Sequence, residues 1–218
     1  MGKLIDQARR ARAREAKGDR KHQIRAAARD LFVQQPYVEI TMDGICQRAR
    51  LRKGLAAMYF GSKEELFLDL LKSQLGEWSD RLAAELVEAE RLSRPELLEA
   101  VSASLDERPA LTRMLGLLPV VLEQNVDLTA VLAFRERQRA LVAAAAEAAG
   151  RACSEVDPSQ GFELLRRALI VAGALDPLAR PRGAAGLALV GGADHGTQVD
   201  LGAELRWMLA GFVSAAGS

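Results

Sequence analysis

Residues 41–67 read TMDGICQRARLRKGLAAMYFGSKEELF, and this stretch decides the fold. Thr41 is an N-cap type, Asp43 falls in the first turn where a helix favours an acid, and Met42, Ile45, Cys46 and Ala49 repeat at helical spacing. The spacing predicts a short helix. Arg50-Leu51-Arg52-Lys53-Gly54 interrupts it, and a second short helix is expected from about Lys53 to Phe60. Ser62-Lys63-Glu64-Glu65 then has the form of a capping box, opening a long helix. Its stripe of Leu66, Phe67, Leu70, Leu71, Leu75, Trp78, Leu82 and Leu86 holds one face throughout.

Upstream, Ile24, Ala27, Ala28, Leu31 and Phe32 line one side of a helix over residues 20–35, which Pro36 ends. Two short helices joined by a tight turn and braced by a preceding helix make a helix-turn-helix unit. The second short helix of such a unit enters the DNA major groove. A turn carrying Arg50, Arg52 and Lys53 suits that task, because these side chains meet phosphates and base edges.

Charge agrees. The net charge of +1 over 218 residues hides an asymmetry: residues 1–60 hold 14 Lys/Arg and 6 Asp/Glu, a surplus of +8, against −7 for the rest. A basic segment on an acidic body is expected where one end meets a polyanion. Residues 1–19, rich in Arg, are expected to form a flexible basic arm ahead of the 20–66 DNA-binding domain and a 67–218 helical domain.

Composition closes off other classes. Hydrophobic residues at 49% and charged residues at 27% suit a globular protein, and the Ala/Leu bias with 5% aromatics favours an all-α fold. Two Cys (46 and 153) and two His (22 and 195) are too few for a disulfide framework or a metal site, so no metal or cofactor is expected. There is no secretory signal and no apolar run near the ~20 residues of a membrane span, so the expectation is a cytoplasmic protein without a membrane partner. No Gly-rich phosphate loop or nucleophile elbow is present, and the Asp194-His195 pair in a Gly-rich loop over 176–198 is too little for catalysis. The chain does not read as an enzyme.

At residues 24–67 the sequence resembles the DNA-binding domain of the tetracycline-repressor (TetR/AcrR) family. Ala27-Ala28, Leu31-Phe32, Tyr37, Thr41, Ile45, Ala49 and the run Tyr59 to Phe67 fall in the family's spacing without an insertion. The resemblance implies a homodimeric, ligand-responsive regulator, usually a repressor, that binds a palindromic site in double-stranded DNA. It implies DNA contacts from Thr41, Arg50, Arg52, Lys53, Met58, Tyr59 and Lys63. The chain departs from the family pattern at four positions. Arg50 stands where Gly is usual, in a left-handed turn; Arg52 replaces a Ser/Thr cap; Ala57 replaces a Tyr that touches phosphate; Pro36 replaces Gly. The departures motivate an alternative, a helical interaction protein that has lost specific DNA binding.

Beyond residue 91, prolines punctuate a series of helices: one from Pro95, one from Pro109 divided at Pro119, an Ala-rich helix from Asp127, one from Asp157-Pro158, and a last one over 199–216. By the same resemblance a hydrophobic effector would sit among Trp78, Leu82, Met114, Leu118, Leu122, Phe134, Gln138 and Phe162. The last helix is apolar on two sides, so with the one before it a dimer interface is expected at Leu165, Leu169, Leu201, Leu205, Met208, Phe212 and Trp207.

Overall fold

A computed structural model describes the backbone of residues 2–89, 91–182 and 199–215, with side chains from residue 17 to residue 212 of these. The expected 176–198 loop lies outside the described residues from 183 onward, and Asp194-His195 with it. Every described element is helical: α1 (Gly2–Gln34), α2 (Met42–Arg48), α3 (Leu55–Tyr59), α4 (Lys63–Glu88), α5 (Arg94–Asp106), α6 (Pro109–Leu117), α7 (Leu128–Ala152), α8 (Pro158–Ala179) and α9 (Leu201–Ala215). The chain divides into two compact units, Met1–Leu70 and Leu71–Ser218.

In the first unit α1 packs on α2, and α2 on α3. Ile24, Ala27, Ala28 and Phe32 are buried, as the stripe predicts, along with Ile45, Cys46, Phe60, Leu66 and Phe67. Phe67 is the aromatic centre, meeting Phe32 and Tyr37 edge to face at 5.3 and 4.9 Å between centroids. The helix expected from residue 20 begins at Gly2, so the basic arm is a continuation of α1 in backbone conformation.

In the second unit α8 packs against α5, α6, α7 and α9, and α9 also covers α5. Caps follow the sequence signals. Asp127 accepts the N–H of Ala130 at 2.7 Å to open α7, and Asp157 and Gln160 exchange bonds to open α8, with Pro158 at its first position. Pro119 ends α6 in a wide, π-type turn over Leu118–Leu122, as a proline inside a helix must disturb its bonding. Helix α8 runs on through Pro177 to Ala179, so the loop expected from residue 176 starts later.

Helices α6 and α8 cross closely at two glycines. A Cβ on Gly116 would stand 2.7 Å from the carbonyl oxygen of Gly173, and one on Gly173 would stand 2.9 Å from the backbone nitrogen of Gly116. Helices α6 and α8 therefore touch backbone to backbone. Nearby, the buried Asp176 accepts from the Thr112 hydroxyl at 2.7 Å and pairs with Arg180 at 3.1 Å, and Arg180 also holds Asp106. This satisfies a carboxylate that burial would otherwise penalise.

Candidate nucleic-acid interface and ligand cavity

The turn between α2 and α3 is built by backbone bonds. The Leu51 N–H reaches the Cys46 carbonyl at 2.8 Å, and the Arg50 N–H reaches the Gln47 carbonyl at 3.0 Å. That pair is a Schellman motif, and it needs a left-handed residue at Arg50, whose φ is 54°. The structure thus places Arg where glycine would be free of strain, and the turn carries a cation at its tip.

The recognition helix α3 starts two residues later than the expected Lys53. Its N-cap is Gly54, at φ 80°, not Arg52. Neither Gly54 nor Arg52 supplies a capping side chain; instead the Cys46 Sγ accepts the Ala56 N–H at 3.2 Å. A buried N-terminal donor of α3 is thereby satisfied from within the unit. The α2 cap is as expected: Thr41 Oγ1 accepts the Gly44 N–H at 3.0 Å, which leaves the exposed hydroxyl's own proton free to donate.

Of the seven residues expected to meet DNA, six are exposed or half-exposed on α3, the turn before it and the cap of α2. Arg50 and Arg52 are exposed and make no ion pair among the described residues. Lys53 is also exposed and pairs loosely with Asp43 at 3.1 Å. Met58 is 73% exposed, Tyr59 is half-buried beside it, and Thr41 is exposed.

Lys63 points inward instead. Its ammonium donates to the carbonyls of Tyr37 at 3.1 Å and Ile40 at 3.0 Å and lies 4.0 Å from the centre of the Tyr37 ring. Two of its three donors brace the turn between α1 and α2, with the ammonium against the Tyr37 ring, so its geometry is that of a structural brace. The capping box is shifted as well: Ser62 Oγ accepts the Glu65 N–H at 3.0 Å, but the Glu65 carboxylate takes the Gly61 N–H at 2.9 Å. Glu64 accepts from the Tyr37 hydroxyl at 2.8 Å, and burial, with this bond second, pushes the Tyr37 phenol above its ordinary range.

The second unit holds a half-open cavity of about 1030 Å³ between α6, the turn after it, α7 and α8. Leu115, Leu118, Leu132, Val142, Phe162 and Leu169 give it an apolar wall, with Arg135, Arg139, Glu136, Glu163 and Arg166 at the polar positions. Leu118, Gln138 and Phe162 line it as expected. Trp78, Leu82, Met114, Leu122 and Phe134 do not; each is close-packed core, and Trp78 spends its indole N–H on Ser104 at 3.0 Å. The missed signal was a second apolar stripe on α7, Leu132 and Val142 interleaved with Arg135 and Arg139, which reads from sequence as a solvated face.

The expected dimer residues divide similarly. Leu165, Leu201 and Leu205 are buried inside the unit, and buried Leu169 faces the cavity, so none presents surface to a partner. Met208 is half-buried. Trp207, at 75% exposure, and Phe212 are on the surface, with Arg167 stacked 4.8 Å from the Phe212 ring. Among the described residues no group of side chains is placed to hold a metal ion, and no helix is long and apolar enough to cross a membrane.

Comparison with known proteins agrees with this arrangement. Residues 24–70 match the family model for bacterial regulatory proteins of the tetR family, and residues 72–214 match the tetracyclin repressor-like C-terminal domain. Over 68 residues the chain is 32% identical to the HTH-type transcriptional regulator HbdR of Aromatoleum sp. (strain CIB); this spans 31% of the chain and 30% of that relative. A solved TetR-family structure from Mesorhizobium loti MAFF303099 shares the fold, with a TM-score of 0.52 at 18% identity over 91% of this chain and 95% of that one. With residues 24–70 and 72–214 matched by the two family models, the chain belongs to the TetR family of transcriptional regulators.

Proposed function

We propose that the protein is a ligand-responsive repressor that binds a palindromic operator as a homodimer. The observation that carries this reading is the exposure of Thr41, Arg50, Arg52, Lys53 and Met58, with Tyr59 half-exposed, on a buried helix-turn-helix core. The arginines supply phosphate contacts and steering, which are salt-dependent and carry little sequence information. The outward face of α3 is apolar, Ala57 and Met58, and apolar side chains in the major groove read thymine methyl groups. The operator half-site therefore contains A·T pairs beneath Met58.

The dimer forms through the exposed faces of α8 and α9, where Leu178, Trp207 and Phe212 leave apolar surface that a lone protomer does not cover. Effector in the cavity of the second unit shifts the population between a DNA-competent and an incompetent spacing of the two recognition helices.

Selection of bound fragments from randomised duplex DNA at two salt concentrations tests this. One palindrome recovered at both salts is the expected result. Recovery at low salt alone, with no shared sequence, would leave only non-specific attraction and favour a helical interaction protein instead.

A further inference from the structure

We infer that the effector is an amphipathic anion: an apolar body with one carboxylate or phosphate group, held between Arg139 of α7 and Arg166 of α8. The inference rests on the reading of the α6–α8 cavity as the effector site.

Helical register carries it. At about 100° per residue, the cavity-lining positions of α7 span an arc with Gln138 at its inner edge and Glu136 at its outer edge. Arg135 and Arg139 occupy the middle. On α8 the lining arc has Arg166 and Pro177 at its middle, and Glu163 and Ala174 toward the outside. Both walls thus present arginine centrally and glutamate at the rim.

Height agrees as well. Helices α7 and α8 are antiparallel, and Gly161 lies against Ala146. Seven residues back along α7 and five forward along α8 from that contact, at about 1.5 Å per residue, bring Arg139 and Arg166 to within about 3 Å of the same level.

The charges are not all spent. Arg135 is committed to Glu123 at 2.6 Å and donates also to Gln138. Arg166 is paired with Glu163 at 2.8 Å, and that glutamate is shared with Arg167 at 3.6 Å. Two guanidinium groups on one carboxylate leave a surplus of positive charge on this wall. Arg139 has no ion-pair or hydrogen-bond partner among the described residues, so the central arginine of α7 faces the cavity uncommitted. A planar anion can take two N–H donors from Arg139, and Arg166 can add another by giving up one of its three bonds to Glu163. Leu132 and Ile170, both exposed at about 60%, supply the apolar surface that the body of such a ligand covers.

Calorimetric titration of the full chain with decanoate, decyl phosphate, decanol and decylamine tests the inference. The anions are expected to bind about tenfold or more tightly than decanol, with decylamine weakest; whichever anion binds tighter names the head group. Arg139→Ala is expected to remove that advantage while leaving decanol binding and the melting temperature unchanged, and Arg139→Lys to restore part of it. Leu132→Trp, at an exposed position that tolerates bulk, is expected to block all four. Equal binding of decanol and decanoate, both blocked by Leu132→Trp, would overturn the anionic class and leave the cavity reading standing. Binding indifferent to both Leu132→Trp and Arg139→Ala would overturn the inference by placing the ligand elsewhere. If no probe binds, the inference and the cavity reading fall together. If in addition Leu132→Trp turns a dimer into a monomer, the cavity is a contact between two copies.

Discussion

The Sγ of Cys46 accepts the backbone N–H of Ala56 at 3.2 Å, joining the scaffold helix to the recognition helix from within. Both atoms are buried. Cys46→Ala leaves the donor unpaired and is expected to cost about 1–2 kcal/mol. Cys46→Ser, which keeps an acceptor, costs less. Urea unfolding monitored by circular dichroism checks the order, and equal midpoints for the two variants would remove the capping role.

Arg50 is the one described non-glycine residue with positive φ. Arg50→Gly relieves the left-handed strain and is expected to stabilise the protein by about 1 kcal/mol. The same change deletes a cation from the DNA-facing turn. Affinity for operator falls, and the slope of log K against log salt shrinks by about 0.9. The two effects have opposite signs, so a thermal melt and a binding titration on one sample separate them.

Lys63 makes the reverse prediction. Lys63→Met breaks two bonds to carbonyls and the stacking on Tyr37, at an expected cost of about 2–3 kcal/mol. The salt slope of DNA binding stays as it is in the unmodified protein. A slope lowered by about one unit would instead return Lys63 to the phosphate contacts.

Tyr37 sets an alkaline limit. Its folded pKa is raised above the ordinary value, because burial and the Glu64 carboxylate disfavour the phenolate. The stabilisation is therefore fully present below pH about 10 and is lost as pH rises beyond it, where the unfolded chain ionises first. Tyr37→Phe loses about 1 kcal/mol near neutrality and flattens this alkaline decline. Stability curves for both proteins between pH 8 and about 11 provide the check.

Gly116→Ala places a methyl group 2.7 Å from the Gly173 carbonyl oxygen, a contact no side-chain rotation relieves. A loss of about 2–3 kcal/mol is expected, with the melting temperature falling by several degrees. Gly76→Ala, on an open helix surface with nothing within 4 Å of a Cβ, is the control and is expected to be neutral or stabilising.

The helices of the first unit were legible in number and order, though α1 starts earlier and α3 later than their signals suggest. The stripe at Ile24, Ala28 and Phe32 and the cap at Thr41 follow from local rules, the left-handed turn at Arg50 from the family resemblance, and each is found. The caps at Asp127 and Asp157 were equally plain. Those signals are local because a cap or an amphipathic turn is satisfied within four residues of chain.

What sequence could not reveal were choices between equivalent apolar and cationic side chains. Trp78 and Phe162 look alike in a helical stripe, yet one is sealed against Ser104 and the other lines a cavity. Leu205 and Trp207 are both apolar residues of α9, yet the fold buries the first and exposes the second. Lys63 and Arg52 are both cations near the recognition helix, and only the fold turns Lys63 inward onto two carbonyls. Periodicity states that a face is apolar or charged; which neighbour meets that face depends on how distant helices cross, here through the bare backbones of Gly116 and Gly173.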